Sequence, residues 1–184
     1  MRVKTSCSLI KGLLACLLLL LFNFVLGMSV VSAETTEVIS EKNEFGGKTV
    51  KIVYSNNDEE AMNITKVVNY FSNNEKVVKK EIFFTDKYAN EKGFSRWIKY
   101  FDNLGKMTKR DNFLTAEYAN KYGVNRTISY LDSNEAIVKN ENFLTDAFAN
   151  EIGANRNIQY VDSTGKITKS EFYLNDKLIK TVNK

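Results

Sequence analysis

Trp97 to Arg126 reads WIKYFDNLGKMTKRDNFLTAEYANKYGVNR, and the same pattern recurs on either side of it at an interval of thirty residues. Tyr70, Tyr100, Tyr130 and Tyr160 keep this interval, as do Lys79, Lys109, Lys139 and Lys169. So do Gly93, Gly123 and Gly153, and so do Arg96, Arg126 and Arg156. A fixed period of this length marks a repeat architecture, in which each unit buries its apolar surface against its neighbours. Residues 67–96, 97–126 and 127–156 align without a gap, and 157–184 repeats the first part of a unit and then stops. Upstream, Lys48 to Ser55 falls in frame with Val78 to Thr85, so 37–66 reads as a degenerate first unit.

Each unit divides into three segments. Trp97 to Phe101 is short and rich in aromatic and β-branched residues, which suits a strand. Asp102-Asn103-Leu104-Gly105-Lys106 supplies the residues of a tight turn, and Met107 to Leu114 is the return strand. Glu75 and Glu135 stand where the other turns have glycine, so those turns either place their left-handed residue elsewhere or are longer. Thr115 to Gly123 then carries a good N-cap at one end and the usual C-terminal stop at the other, with room for two helical turns. Leu114, Tyr118 and Tyr122 are four apart and are expected to form a stripe facing the hairpins, with Ala119 allowing close approach. The expected fold is β-rich (α+β): an elongated antiparallel sheet of about five strand-turn-strand-short-helix units, with the helices along one side.

The first thirty-three residues differ from the rest. Arg2, Lys4 and Lys11 precede an apolar run from Gly12 to Val31, and Val31-Ser32-Ala33 offers a small-residue cleavage site. This is the order of a secretory signal peptide, 1–33, cleaved after Ala33. It implies a secreted, periplasmic or envelope-associated protein whose domain is 34–184. If the leader stays uncleaved, it is the only expected membrane contact. The chain has 26 basic and 22 acidic residues; less the three cations of the leader, 23 face 22, a net charge of +1. So balanced a chain offers little net field for phosphate backbones, which argues against nucleic acid as a partner. Both cysteines, Cys7 and Cys16, lie in the leader, so the remainder has neither disulfide nor thiol chemistry.

There is no histidine, and therefore no imidazole general base, metal ligand or triad. The acidic residues follow the repeat rather than a calcium loop, and no phosphate-binding glycine motif occurs. The sequence implies no catalytic residue, no metal site and no cofactor. Binding candidates are the recurring columns: Tyr70, Tyr100, Tyr130 and Tyr160; Lys79, Lys109, Lys139 and Lys169; and Glu81, Asp111, Glu141 and Glu171. Each lysine precedes its acid by two and shares its strand face, so the pairs serve either as a cross-strand ion ladder or as charges shown to a repetitive ligand. Whether Tyr100 shares that face depends on the parity of the hairpin connection, because a one-residue slip reverses the faces. An even count places Ile98 and Tyr100 with Met107, Lys109, Asp111 and Phe113, and is the expected case. The arginines at the ends of the helical segments are expected to satisfy helix carbonyls.

Ile98-Lys99-Tyr100-Phe101-Asp102 through Gly105-Lys106, and Ile158-Gln159-Tyr160-Val161-Asp162 through Gly165-Lys166-Ile167-Thr168-Lys169-Ser170-Glu171-Phe172-Tyr173, resemble variant MORN repeats. That family has a tyrosine-bearing strand, an Asn-Gly-Lys-type turn and a return strand ending on an aromatic residue. The resemblance implies stacked hairpins used for protein or lipid contacts. The thirty-residue period and the helical segment are additions to it. The expected function is thus an exported, non-catalytic repeat protein that binds a protein or a cell-envelope glycan along its repeat surface. The alternative is a structural envelope protein that self-associates through edge strands, and a third reading is a carboxylate-dependent enzyme acting on polysaccharide.

Overall fold

A computed structural model of the protein describes residues 35–55 and 62–184. The expected leader and residues 56–61 of the expected first unit lie outside this range.

The described chain forms one open antiparallel sheet of eleven strands that lie side by side in sequence order. The strands are β1 (Thr35–Ser40), β2 (Gly46–Val53), β3 (Ile64–Ser72), β4 (Val77–Phe84), β5 (Phe94–Phe101) and β6 (Met107–Leu114). They continue as β7 (Val124–Leu131), β8 (Ile137–Leu144), β9 (Arg156–Val161), β10 (Ile167–Leu174) and β11 (Lys177–Asn183). Three seven-residue helices, α1 (Asp86–Lys92), α2 (Ala116–Tyr122) and α3 (Asp146–Ile152), link β4 to β5, β6 to β7 and β8 to β9. Among the described residues no helix is long and apolar enough to cross a membrane.

Three of the four repeat turns are built by aspartate, and Ser72 takes that place in the first. Asp102 Oδ1 accepts from the backbone N–H of Leu104 at 2.8 Å and of Lys106 at 2.9 Å, and Asp132 and Asp162 repeat the arrangement. Glu75 and Glu135 adopt φ of 58° and 61° at the position where Gly105 and Gly165 adopt 81° and 84°. All four turns therefore have one length and one left-handed residue. Neither alternative of a shifted left-handed position or a longer loop is needed, because the local hydrogen bonds carry a non-glycine residue into that region.

Each turn holds five residues, an odd number, yet Tyr100 stands opposite Lys109. The register shifts between Tyr100 and Phe101, where Phe101 pairs with Met107 and Thr108 is the extra residue of a bulge. The bulge restores the even count, so Ile98 and Tyr100 share a face with Lys109, Asp111 and Phe113. Met107 pairs instead with Phe101 and leaves that register. Val78, Val138 and Thr168 are the extra residues of the corresponding bulges in the other three hairpins.

The helices form where expected. Thr85, Thr115 and Thr145 cap them, each hydroxyl accepting from the N–H three residues on, and Gly93, Gly123 and Gly153 end them in the left-handed conformation. The anticipated apolar stripe toward the hairpins forms only in part. Tyr118 packs its ring against Gly93 of the preceding link, where a Cβ would come within 2.1 Å of it. The Tyr118 hydroxyl also donates to the Glu91 carbonyl at 3.0 Å. Phe148 meets Gly123 in the same way, whereas Tyr122 is left exposed. α2 and α3 thus each lean on the link before them, and Ala89 and Ala119 are buried at the contact with the sheet.

After β10 the chain does not make a helix. Asn175 and Asp176, with φ of 49° and 65°, turn it directly into β11. The expectation that the last unit simply stops is corrected: its final residues, Lys177 to Asn183, add a strand to the sheet edge.

Candidate functional site

The in-register pairing converts the recurring columns into rows that run across the strands on one face. One row alternates Tyr70, Lys79, Tyr100, Lys109, Tyr130, Lys139, Tyr160 and Lys169. The next alternates apolar and acidic residues: Val68, Glu81, Ile98, Asp111, Ile128, Glu141, Ile158 and Glu171. A third alternates Phe83, Arg96, Phe113, Arg126, Phe143, Arg156 and Tyr173. All twelve candidate residues from the Tyr, Lys and acid columns therefore lie together on this face. Because directly opposite side chains are neighbours, composition alone sets up their contacts.

Lysine ammoniums lie over tyrosine rings, Lys109 Nζ at 3.8 Å from the Tyr100 centroid, Lys139 at 3.8 Å from Tyr130 and Lys79 at 4.2 Å from Tyr70. Tyrosine hydroxyls donate to the acids of the next row: Tyr70 to Glu81 at 2.9 Å, Tyr130 to Glu141 at 3.0 Å and Tyr160 to Glu171 at 3.0 Å. Burial, followed by the bond to the carboxylate, raises the pKa of Tyr70, Tyr130 and Tyr160. Burial also pulls Lys79 down, but its bond to Glu81 outweighs this and leaves the ammonium above its ordinary value.

The acids sit under this layer. Asp111 is only 1% exposed, and Glu141 and Glu171 are buried. Their main cationic partners differ along the row. Arg126 holds Asp111 with two bonds, Nε to Oδ1 at 2.8 Å and Nη2 to Oδ2, and this pairing raises the guanidinium pKa. Arg156 donates to Glu141 at 2.9 Å. At the ends the lysines take over: Lys79 lies 3.1 Å from Glu81, with Arg96 farther off at 3.8 Å, and Lys169 pairs with Glu171. The ladder is thus not the lysine–acid one expected across strands. Within these rows lysines face tyrosines, and the cross-strand ion pairs are diagonal arginine–acid bonds. A directly opposed lysine–acid pair, Lys51 with Glu37, occurs outside them, between β1 and β2.

Sequence reasoning assigned the arginines to helix carbonyls. The structure places them in the sheet instead, with Arg96 over Phe113 at 4.0 Å and Arg126 between Phe113 and Phe143 at 5.2 and 5.0 Å. Their strict period was the signal that they belong with the other columns. The consequence for charge is concrete. Because Arg126 and Arg156 occupy Asp111 and Glu141, Lys109 and Lys139 have no carboxylate partner among the described residues. The two unpaired ammoniums lie in one row, two strands or ~9.6 Å apart, above buried acids.

Among the described residues no group of three or more acidic, cysteine or histidine side chains could hold a metal ion. No family model matches the chain, and no curated protein matches it.

Proposed function

We propose that the protein is an exported, non-catalytic binding protein of about five thirty-residue strand-turn-strand-helix units, which engages an anionic macromolecule along its Tyr/Lys face. An acidic cell-envelope glycan is the partner this reading favours, because its charges repeat along a chain as the lysines do along the row. The observation that carries the reading is the pair of lysines, Lys109 and Lys139, left without carboxylates while every buried acid beside them is already satisfied. Tyrosine ring faces are covered by lysines, so the surface offers cations rather than bare aromatic platforms. The hairpin resemblance to MORN repeats, a family of contact surfaces, supports the same reading.

The test is retention on an acidic glycan resin, heparin, against a neutral glycan resin. Lys109→Gln with Lys139→Gln is expected to lower the salt concentration that elutes the protein. Unchanged retention of this folded double variant would sink the charged-row reading. A second reading, self-association, is supported by exposed apolar residues on both edge strands: Val38 and Ile39 on β1, Leu178 and Ile179 on β11. Sedimentation at high concentration tests it; a strictly monomeric profile counts against it.

A further inference from the structure

The opposite face carries a cluster that is not part of the recurring columns. Lys80, Lys99 and Arg110 stand directly opposite one another on β4, β5 and β6. Like charges at paired positions repel, and none of the three has an acidic partner among the described residues. The row continues with the neutral Ser129 and Asn140, so the charge is confined to three strands. All three side chains are half-buried. Burial, then Arg110, then Lys80 push the Lys99 ammonium below its ordinary pKa.

The polar atoms around this cluster are also unspent. Trp97, whose ring centre lies 5.4 Å from Lys99 Nζ and 5.5 Å from the Arg110 guanidinium carbon, has a buried Nε1 donor without an acceptor. Arg110 Nε is a second such donor. Asn69 Oδ1 and Asn112 Oδ1 lack donors, and these residues pair in register with Lys80 and Trp97. Together they are four of the five buried side-chain polar atoms without a hydrogen bond among the described residues. A fold normally satisfies such groups. The two donors among them, Trp97 Nε1 and Arg110 Nε, lie beside three uncompensated cations, and donors without acceptors next to unpaired positive charge point to an anionic ligand. Lys80 also borders an open hollow of about 350 Å³ walled by Val77, Phe101 and Leu104.

We propose that Lys80, Lys99, Arg110 and Trp97 Nε1 bind a phosphate group, with the adjoining hollow receiving whatever carries it. Phosphate fits better than carboxylate because it brings about −1.5 to −2 charges and three acceptor oxygens to three cations and an indole donor. The unspent Arg110 Nε–H lies on the side of the guanidinium that can form a two-pronged bond to an oxyanion. This site is independent of the Tyr/Lys face, since adjacent residues of a strand point to opposite faces.

The test is a titration of the purified protein with inorganic phosphate and with glycerol phosphate, against chloride at matched ionic strength. Trp97 is the only tryptophan, so its indole N–H resonance reads the site directly. The expected result is a saturable shift of that resonance with both phosphates and none with chloride. Lys99→Gln and Arg110→Gln should each weaken binding about tenfold or more, the loss of one charge-assisted bond. Each should also raise the thermal midpoint without phosphate, because a repulsion is removed. Lys109→Gln with Lys139→Gln should leave phosphate affinity unchanged. Tighter binding of glycerol phosphate identifies a carried phosphate as the ligand; equal binding identifies the free ion. An indole resonance that does not respond to phosphate, or a response that survives in Lys99→Gln and Arg110→Gln, overturns the proposal.

Discussion

Asp111 and Arg126 form a pair whose two halves are unequally buried, and removing either one should have unequal consequences. The Asp111 side chain is 1% exposed and that of Arg126 is 37% exposed. In Arg126→Ala the carboxylate stays in a dry site without its two charge-assisted bonds, the situation in which breaking a buried pair costs about 3–5 kcal/mol. In Asp111→Ala the guanidinium is freed instead, and being more than a third exposed it can swing into water. Its loss is discounted toward surface-pair values, leaving about 1–3 kcal/mol including the small cavity. The double variant buries no lone charge, so it should be more stable than Arg126→Ala alone. Urea unfolding followed by the fluorescence of Trp97 measures all three. The reasoning is refuted if Asp111→Ala is the costlier change, or if the two losses simply add in the double variant.

Two further outcomes follow from the same geometry. Gly123→Ala should destabilise by about 2–4 kcal/mol, combining left-handed strain with collision against the Phe148 ring. Gly153→Ala, with open space around its Cβ, should cost only the strain, about 1–2 kcal/mol; equal thermal midpoints for the two variants would contradict the helix-on-helix contact. On the alkaline side, Tyr70, Tyr130 and Tyr160 have folded pKa values raised above their ordinary 10.0. The folded state therefore holds these protons more tightly, so the stability they contribute is complete below pH 10 and is lost as pH rises through the folded values. Tyr130→Phe should flatten the fall of the urea midpoint above pH 10, and a midpoint that climbs there in the parent protein would reverse the sign of the argument.

The elements that were legible in the sequence are those specified by local chemistry. Thr115 and Gly123 mark helix ends whatever surrounds them, and the aspartates mark turns. The face that the columns share depended on Thr108, an extra residue at the mouth of a hairpin, and nothing about a threonine in a strand announces a bulge. The arginine role was misread for a related reason. Position at a helix end suggested carbonyls, but the pairing register, invisible in sequence, sets Arg126 beside Phe113 and diagonal to Asp111. β11 had a local sign, Asn175-Asp176 followed by alternating residues, that the repeat pattern obscured. Lys80 and Arg110 share one column and Lys99 stands in another, and both columns turn neutral in the later copies, so the period does not mark the cluster.

Each strand of the sheet pairs only with the strands before and after it in the chain. No pairing has to wait for a distant segment to arrive, and the entropic cost of closing each contact is that of a short connection. Such wiring favours rapid, zipper-like assembly that can start at any well-formed hairpin and grow both ways. It also means that the length of the sheet is not fixed by any closure condition. A strand pair with its helix can be added or lost between existing neighbours without rethreading the rest, so gene duplication could lengthen the sheet while leaving each contact's geometry as it was.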